Sequence, residues 1–218
     1  LTLGLLCGGQ GRRLGGPKES LVDDVGATLL QHQLDRLSPH FQEVLLLVGP
    51  RATSFSHFLP LAGIRQVCDP LEFSGQGPLA GLLAALQVCR DDWLALMAID
   101  TPFFPPEVLT RSLEMAPEGC PAVGFRGPEG RPQWLPGLYR KRLQTSIEAT
   151  LLRGELSLGR WMQSQQHAFL PWTDPLPVQR AYANLNTPEQ ARHAGFRLPL
   201  GPGGREAFNL EGRSPGKS

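Results

Sequence analysis

Two patterns of apolar residues alternate along this chain: continuous runs, which predict strands, and residues recurring every three to four positions, which predict helices. Residues 1–7 are short and apolar and stop at Gly8, as a buried strand does. Over 28–38, Leu29, Leu30, Gln33/Leu34 and Leu37 recur at helical spacing. Residues 43–48 form a second apolar run closed by Gly49-Pro50, the mark of a strand covered on both faces of a parallel sheet. A weak helix over 52–59, a short strand over 64–68 and an apolar helix over 82–89 follow. The most hydrophobic strand is predicted over 93–99, and Pro105-Pro106-Glu107 opens a helix that runs to Met115.

The second half changes character. Residues 121–125 and 133–139 are strand-like on either side of a turn at 127–130, which predicts a hairpin. Helices are expected over 140–153 and 158–165, and strands over 168–171 and 178–185. Thr187-Pro188-Glu189-Gln190 opens a last helix, with threonine as the cap, proline in the first turn and glutamine three residues after the cap. From Phe196 onward glycine, proline and serine accumulate and periodicity stops, so 196–218 read as a flexible tail behind one domain spanning 1–195. The expected fold class is α/β, a Rossmann-like doubly wound and mostly parallel sheet with a partly antiparallel second half.

Composition narrows the function classes. The 218 residues suit one such domain, and 41% apolar with 19% charged residues is neither a disordered nor a membrane composition. No run approaches the ~20 apolar residues of a spanning helix, and the opening residues lack the basic leader and cleavage site of a signal peptide. A net charge of +1 gives no general attraction for nucleic acid. Cys7, Cys68, Cys89 and Cys120 are widely spaced without a C-x-x-C pair, which fits a reduced, cytoplasmic chain and argues against zinc. The five histidines have no ligand spacing and no nucleophile motif accompanies them, so no covalent mechanism is indicated.

In a doubly wound sheet, ligands bind beyond the carboxyl ends of the strands. Four features should meet there: the loop 8–18, the loop 75–81, Asp100, and Asn184 with Asn186. The first loop, Gly8-Gly9-Gln10-Gly11-Arg12-Arg13-Leu14-Gly15-Gly16-Pro17-Lys18, joins glycines that bring bare N–H groups near an anion to basic side chains that supply countercharge. Its spacing excludes better-known phosphate loops. A dinucleotide fingerprint starting at Gly9 needs glycine where Leu14 stands, and a Walker A loop needs Gly-Lys-Ser/Thr where Pro17-Lys18-Glu19 stands. Arg13 and Lys18 remain as a pair able to grip a triphosphate, although the same composition also makes a solvated turn. Asp100 ends a buried strand, where an ionised carboxylate calls for a cation such as Mg²⁺ or, in the plainer reading, caps the turn at Thr101-Pro102. Asn186 is either an oxygen ligand or simply the residue before the Thr187 cap.

Taken together, Leu6-Cys7-Gly8-Gly9 with Arg13-Leu14-Gly15 and Lys18, Gly77-Pro78-Leu79-Ala80-Gly81, Asp100-Thr101-Pro102 and Asn184-Leu185-Asn186-Thr187-Pro188-Glu189 resemble the bacterial molybdenum cofactor guanylyltransferases, in that family's order. The segment from Gly130-Arg131-Pro132 to Tyr139 resembles the part of the family that faces the pterin. Departures are Cys7 where the family usually has Ala, Leu14 for Met, and Pro17 where an acidic residue commonly precedes the lysine.

The resemblance implies transfer of GMP from GTP to the terminal phosphate of molybdopterin with Mg²⁺, releasing pyrophosphate. It places Arg13, Lys18 and Asp100 in the catalytic set, and Leu6, Cys7, Gly8, Gly9, Lys18, Asp69, Asp100 and Gly77, Pro78, Leu79, Ala80 and Gly81 around the nucleotide. It assigns Asp100 and Asn186 to the metal, and Asn184, Arg131 and Pro132 to the pterin side. GTP and molybdopterin are the implied partners, with room for molybdoenzyme chaperones or other cofactor-assembly proteins. A cytidylyltransferase for the same pterin, another sugar-phosphate nucleotidyltransferase and a non-catalytic nucleotide-binding module stand as alternatives.

Overall fold

The computed structural model describes residues 1–7, 11, 13–49, 63–172 and 174–199. Its sheet begins with β1 (Thr2–Leu6), β2 (Glu43–Leu47), β3 (Ile64–Val67) and β4 (Trp93–Ala98), and continues with β5 (Ala122–Arg126), β6 (Pro132–Arg140) and β7 (Ala168–Leu170). The seven strands are ordered β3-β2-β1-β4-β6-β5-β7. The first four are mutually parallel, β6 runs antiparallel to both β4 and β5, and β7 pairs parallel with β5. The expected fold class is therefore observed, with the change of direction falling between β4 and β6.

Alternate residues of the central strands feed two separate cores, which is why these strands read as unbroken apolar runs. Leu3, Leu5, Val44, Leu46, Ala95 and Met97 pack on one face, beneath α1 (Leu29–Leu37) and α3 (Pro106–Met115). Leu45, Leu47, Leu94 and Leu96 pack on the other, beneath α2 (Pro78–Val88), with α4 (Gln144–Leu152) and α5 (Leu158–Gln163) on the same side. Helix α2 lies between sheet and α4, and residues 79–86 are all buried, so it is apolar all round. Gly4 lies under this layer, and a Cβ there would meet the ends of Leu47 and Leu96 at 3.1 Å.

The structure corrects the sequence reading in four places. Residues 178–185 are not a strand; α6 (Val178–Ala181) is a short helix followed by irregular chain. Val178, Ala181, Tyr182 and Leu185 are spaced i, i+3, i+4, i+7, a helical period, and the last three are buried. The helix expected over 140–153 starts later, because β6 runs through Arg140 and a 3₁₀ turn spans Lys141–Leu143. Helix α2 starts earlier than expected, so Pro78, Leu79, Ala80 and Gly81 are its first residues and not loop. The packed body also extends past residue 195: Phe196 and Leu198 are buried and Arg197 bridges Val22. The helix expected over 52–59 and the tail from 200 lie outside the described residues.

Strand β6 has one position that admits no side chain. A Cβ on Gly137 would lie 2.6 Å from the Trp134 carbonyl oxygen and 3.0 Å from that of Val123, both backbone atoms that cannot rotate away. Gly137→Ala is expected to destabilise the protein by about 1–3 kcal/mol through overpacking. Gly4→Ala, which meets only side-chain ends, should cost less, and urea denaturation of the two variants checks the order.

Candidate active site

Strand register brings the functional loops to one edge. Leu6 is level with Leu47 and Ala98, and Leu47 with Val67. The chain leaves the sheet together at these positions, so Asp69 and Asp100 each stand two residues beyond an aligned strand end. The Ile99 N–H still donates to the Leu6 carbonyl at 3.1 Å, which keeps the two exits adjacent.

The loop after β1 is shaped by Gly11 and Leu14. Gly11 has φ +57°, and its absent Cβ would lie 1.7 Å from the Gly16 carbonyl oxygen, so only glycine fits. Its own carbonyl accepts from the N–H groups of Leu14 and Gly15, both at 2.9 Å. Leu14 is buried in the first core and pins the turn, while Arg13 remains exposed. Pro17 sits in extended backbone (φ −65°, ψ 133°) and starts a 3₁₀ turn over Lys18–Ser20. Lys18 thereby reaches into the cleft, where its Nζ pairs with Asp100 Oδ2 and donates to Asn186 Oδ1 at 2.6 Å. Both ions are largely buried, at 15% and 17% side-chain exposure.

Asn186 stands directly before the Thr187 cap, as one of its two readings has it, and its side-chain oxygen faces Lys18. Its side chain accepts from Lys18, and its backbone N–H donates to Gln190 Oε1 at 2.8 Å, just ahead of the Thr187 capping box that opens α7 (Pro188–His193). The segment is tied to the neighbouring turn because the Leu185 N–H donates to the Asp100 carbonyl at 2.9 Å. Asp100 and Asn186 thus present two hard oxygen atoms to one cation position, a donor set that suits a magnesium-class ion completed by substrate phosphates and water. Among the described residues no three His, Cys, Asp or Glu side chains gather as a metal cluster.

On the other side of β1, Asp69 closes the loop that leads into α2. Its Oδ2 accepts from the Gly75 N–H at 2.9 Å, and burial pushes its carboxyl above the ordinary aspartate value despite that bond. Gly77 caps α2 with φ +81° and is exposed, as is Pro78. Gly81 faces Leu6: a Cβ there would lie 2.7 Å from Leu6 Cδ2. Leu79 and Ala80 are fully buried, and so is Cys7, whose thiol donates to the Leu5 carbonyl at 3.4 Å. These three side chains belong to the core, which leaves only their backbones for the cleft. Gly8 and Gly9 lie outside the described residues.

A cavity of about 340 Å³ adjoins this centre, lined by Thr101, Glu129, Arg131, Gln133, Tyr182 and Asn184 among others. The structure therefore brings Asn184 and Arg131 to one cavity, while exposed Pro132 is next to Arg131 in the chain and not among the lining residues. Arg131 is paired with Glu129 at 2.7 Å. Thr101 and Gln133 lie within quoted motifs but had no role of their own, and Tyr182 was not singled out by sequence. Gln133 was detectable as the strand neighbour of Arg131 on the same face, two residues on.

Comparison with known proteins gives a consistent result. The family model described as the MobA-like NTP transferase domain matches residues 4–169. A protein of Shewanella putrefaciens named molybdenum cofactor guanylyltransferase is 32% identical over 189 residues, covering 85% of this chain and 91% of that one. Among solved structures, molybdopterin-guanine dinucleotide biosynthesis protein A of Archaeoglobus fulgidus superposes with a TM-score of 0.72 at 22% identity, covering 89% of this chain and 97% of its own. Rv0371c of Mycobacterium tuberculosis, solved in complex with manganese, does so with a TM-score of 0.60 at 19% identity, covering 89% and 96%.

The raised pKa of Asp69 gives a pH-dependent test. A carboxyl whose folded pKa lies above its unfolded value favours folding while protonated and opposes it once ionised. Asp69→Asn, which keeps an oxygen for the Gly75 N–H, is expected to raise the melting temperature at neutral pH. The gain should shrink as pH falls through the folded pKa and vanish below the ordinary carboxylate range, which thermal melts from pH 3 to 8 check.

Proposed function

The chain belongs to the MobA-like NTP transferase family, and we propose that within it this protein is a molybdenum cofactor guanylyltransferase, moving GMP from GTP to the terminal phosphate of molybdopterin and releasing pyrophosphate. The observation that carries this reading is the convergence of Lys18, Asp100 and Asn186 between the α2 start and the cavity lined by Arg131 and Asn184. An anion-binding loop, a cation position and a polar acceptor cavity are the three parts that nucleotidyl transfer between two phosphates requires.

The roles follow from charge and place. Lys18, now held by two oxygen atoms, is the cation nearest the reacting phosphates, and its ammonium exchanges Asp100 and Asn186 for phosphate oxygens when the nucleotide enters. Arg13, exposed on the same loop, meets the leaving pyrophosphate. Asp100 and Asn186 would hold Mg²⁺, which supplies charge neutralisation on the phosphates when bound. The exposed Gly77 and Pro78 and the first N–H groups of α2 border the guanine, with Asp69 behind them. Arg131 and Asn184 receive the pterin. The attacking phosphate is already anionic, so alignment and countercharge suffice and no strong general base is needed. Four free cysteines suit a reducing, cytoplasmic setting, and no described helix is long and apolar enough to cross a membrane.

Calorimetric titration in the presence of Mg²⁺ is expected to give clearly tighter binding for GTP than for CTP. Equal or reversed affinities would reject the guanylyl assignment in favour of a cytidylyl or broader enzyme. Asp100→Ala is expected to lower turnover by about 10²–10³-fold with the fold retained, the order seen when one charge-stabilising group is removed from such a site. Pyrophosphate release with molybdopterin as acceptor measures it; full activity in that variant would remove Asp100 from the catalytic set, and a native protein that binds GTP without releasing pyrophosphate would point to a binding module.

A further inference from the structure

We propose that Gln33 and Arg36, on helix α1 and outside the cleft, are positioning residues that hold the turn bearing Asp100. The inference rests on the reading of Asp100 as a working group of the site.

Gln33 stands on the buried face of α1 with Leu29, Leu30, Leu34 and Leu37, and is 1% exposed. A leucine would serve packing at such a position, whereas an amide is costly there unless both of its ends are bonded. Both are. Gln33 Nε2 donates to the Ile99 carbonyl at 3.1 Å, and Oε1 accepts from Arg36 Nη2 at 2.8 Å. The carbonyl can only accept and the guanidinium can only donate, so these partners leave the amide one orientation. Arg36 Nη1 then donates to the Phe104 carbonyl at 2.6 Å. The two side chains thus bracket residues 99–104 from the α1 side.

The bracket acts where it matters for Asp100. The Ile99 carbonyl belongs to the peptide unit that supplies the Asp100 N–H, so holding it sets the orientation from which the Asp100 side chain projects. The next carbonyl, that of Asp100 itself, is held by the Leu185 N–H, one residue before Asn186. Without Gln33 one of these two anchors is lost, and Asp100 can turn relative to Lys18 and Asn186. A misplacement of ~1 Å at a reacting centre can cost about 10²-fold in rate.

The test uses Gln33→Leu, which keeps the apolar fit of α1 and removes both bonds. Turnover at saturating GTP and molybdopterin should fall about 10- to 100-fold. GTP affinity by calorimetry should stay within about twofold, and the Mg²⁺ concentration giving half-maximal rate should rise. A role in packing alone would lower the melting temperature and leave rate per folded molecule and metal requirement unchanged. Arg36→Lys is the second variant should Gln33→Leu fail to fold: it keeps the charge and a donor for Phe104 but loses the bond to Gln33, and a smaller shift in the same two quantities is expected. Unchanged turnover and metal requirement in a folded variant overturn the proposal. Asp100→Asn, measured alongside, separates the two readings. If it is inactive while Gln33→Leu and Arg36→Lys behave as the native protein, the bracket alone falls; if it is fully active, the role given to Asp100 falls and the bracket with it.

Discussion

Lys18 and Asp100 have both lost most of their water, and what compensates each charge is the other, together with the Asn186 amide. Such a pair contributes little net stability, because desolvation offsets much of the attraction, but removing either partner leaves a costly lone charge. Its importance is as a constraint. Residues 18, 100 and 186 can meet only if the loop after β1, the exit of β4 and the lead into α7 arrive at one edge together. The aligned strand ends, the buried Leu14 and the Thr187 capping box are the local devices that bring them there.

Strand β4 is the hinge of this arrangement in the topological sense. On one side its neighbours run parallel, so the chain leaves β1, β2, β3 and β4 at the same edge and delivers two loops and two carboxylates to it. On the other side β6 runs antiparallel, so its first residues, and not its last, rise to that edge. This places Arg131 and Gln133 beside Thr101, across Asp100 from the glycine-rich loops. One reversal of strand direction therefore gives the cleft two chemically different halves: one built from glycine, backbone N–H and cations, the other from polar side chains around a cavity. On the proposed reading these are the nucleotide and acceptor halves.

Much of this was legible in the chain because buried parallel strands and phosphate loops both have strong local signatures. The runs at 1–7, 43–48 and 93–99 announced the central strands, and Gly8–Lys18 announced the loop at their exit. What misled was short-range ambiguity. Val178, Ala181, Tyr182 and Leu185 form a helical period too brief to outweigh a strand-like reading of a few apolar residues. Phe196 and Leu198 lie in a glycine-rich context that reads as tail, yet they are buried, because tertiary contacts outweighed local composition. The side chains of Cys7, Leu79 and Ala80 occupy motif positions but face the core, since a motif marks a stretch of backbone and does not say which way each side chain points. Gln33 was read only as part of the apolar pattern of its helix; its bond to Arg36 is local, but its bond to Ile99 spans 66 positions of the chain.

That last miss has a physical reason. When the nucleophile is a phosphate already carrying charge, little depends on generating reactivity and much depends on holding anions and cations in place. The groups that perform such a task include those that orient backbone, and these sit in the core, where they are indistinguishable by type from packing residues. A glutamine on a leucine face is the exception that can be noticed, because burying an amide is unfavourable unless something fixes both its ends. The partners found at those ends, a carbonyl adjoining Asp100 and a guanidinium bonded to the far end of the same turn, connect the interior of the fold to the charge arrangement at its edge.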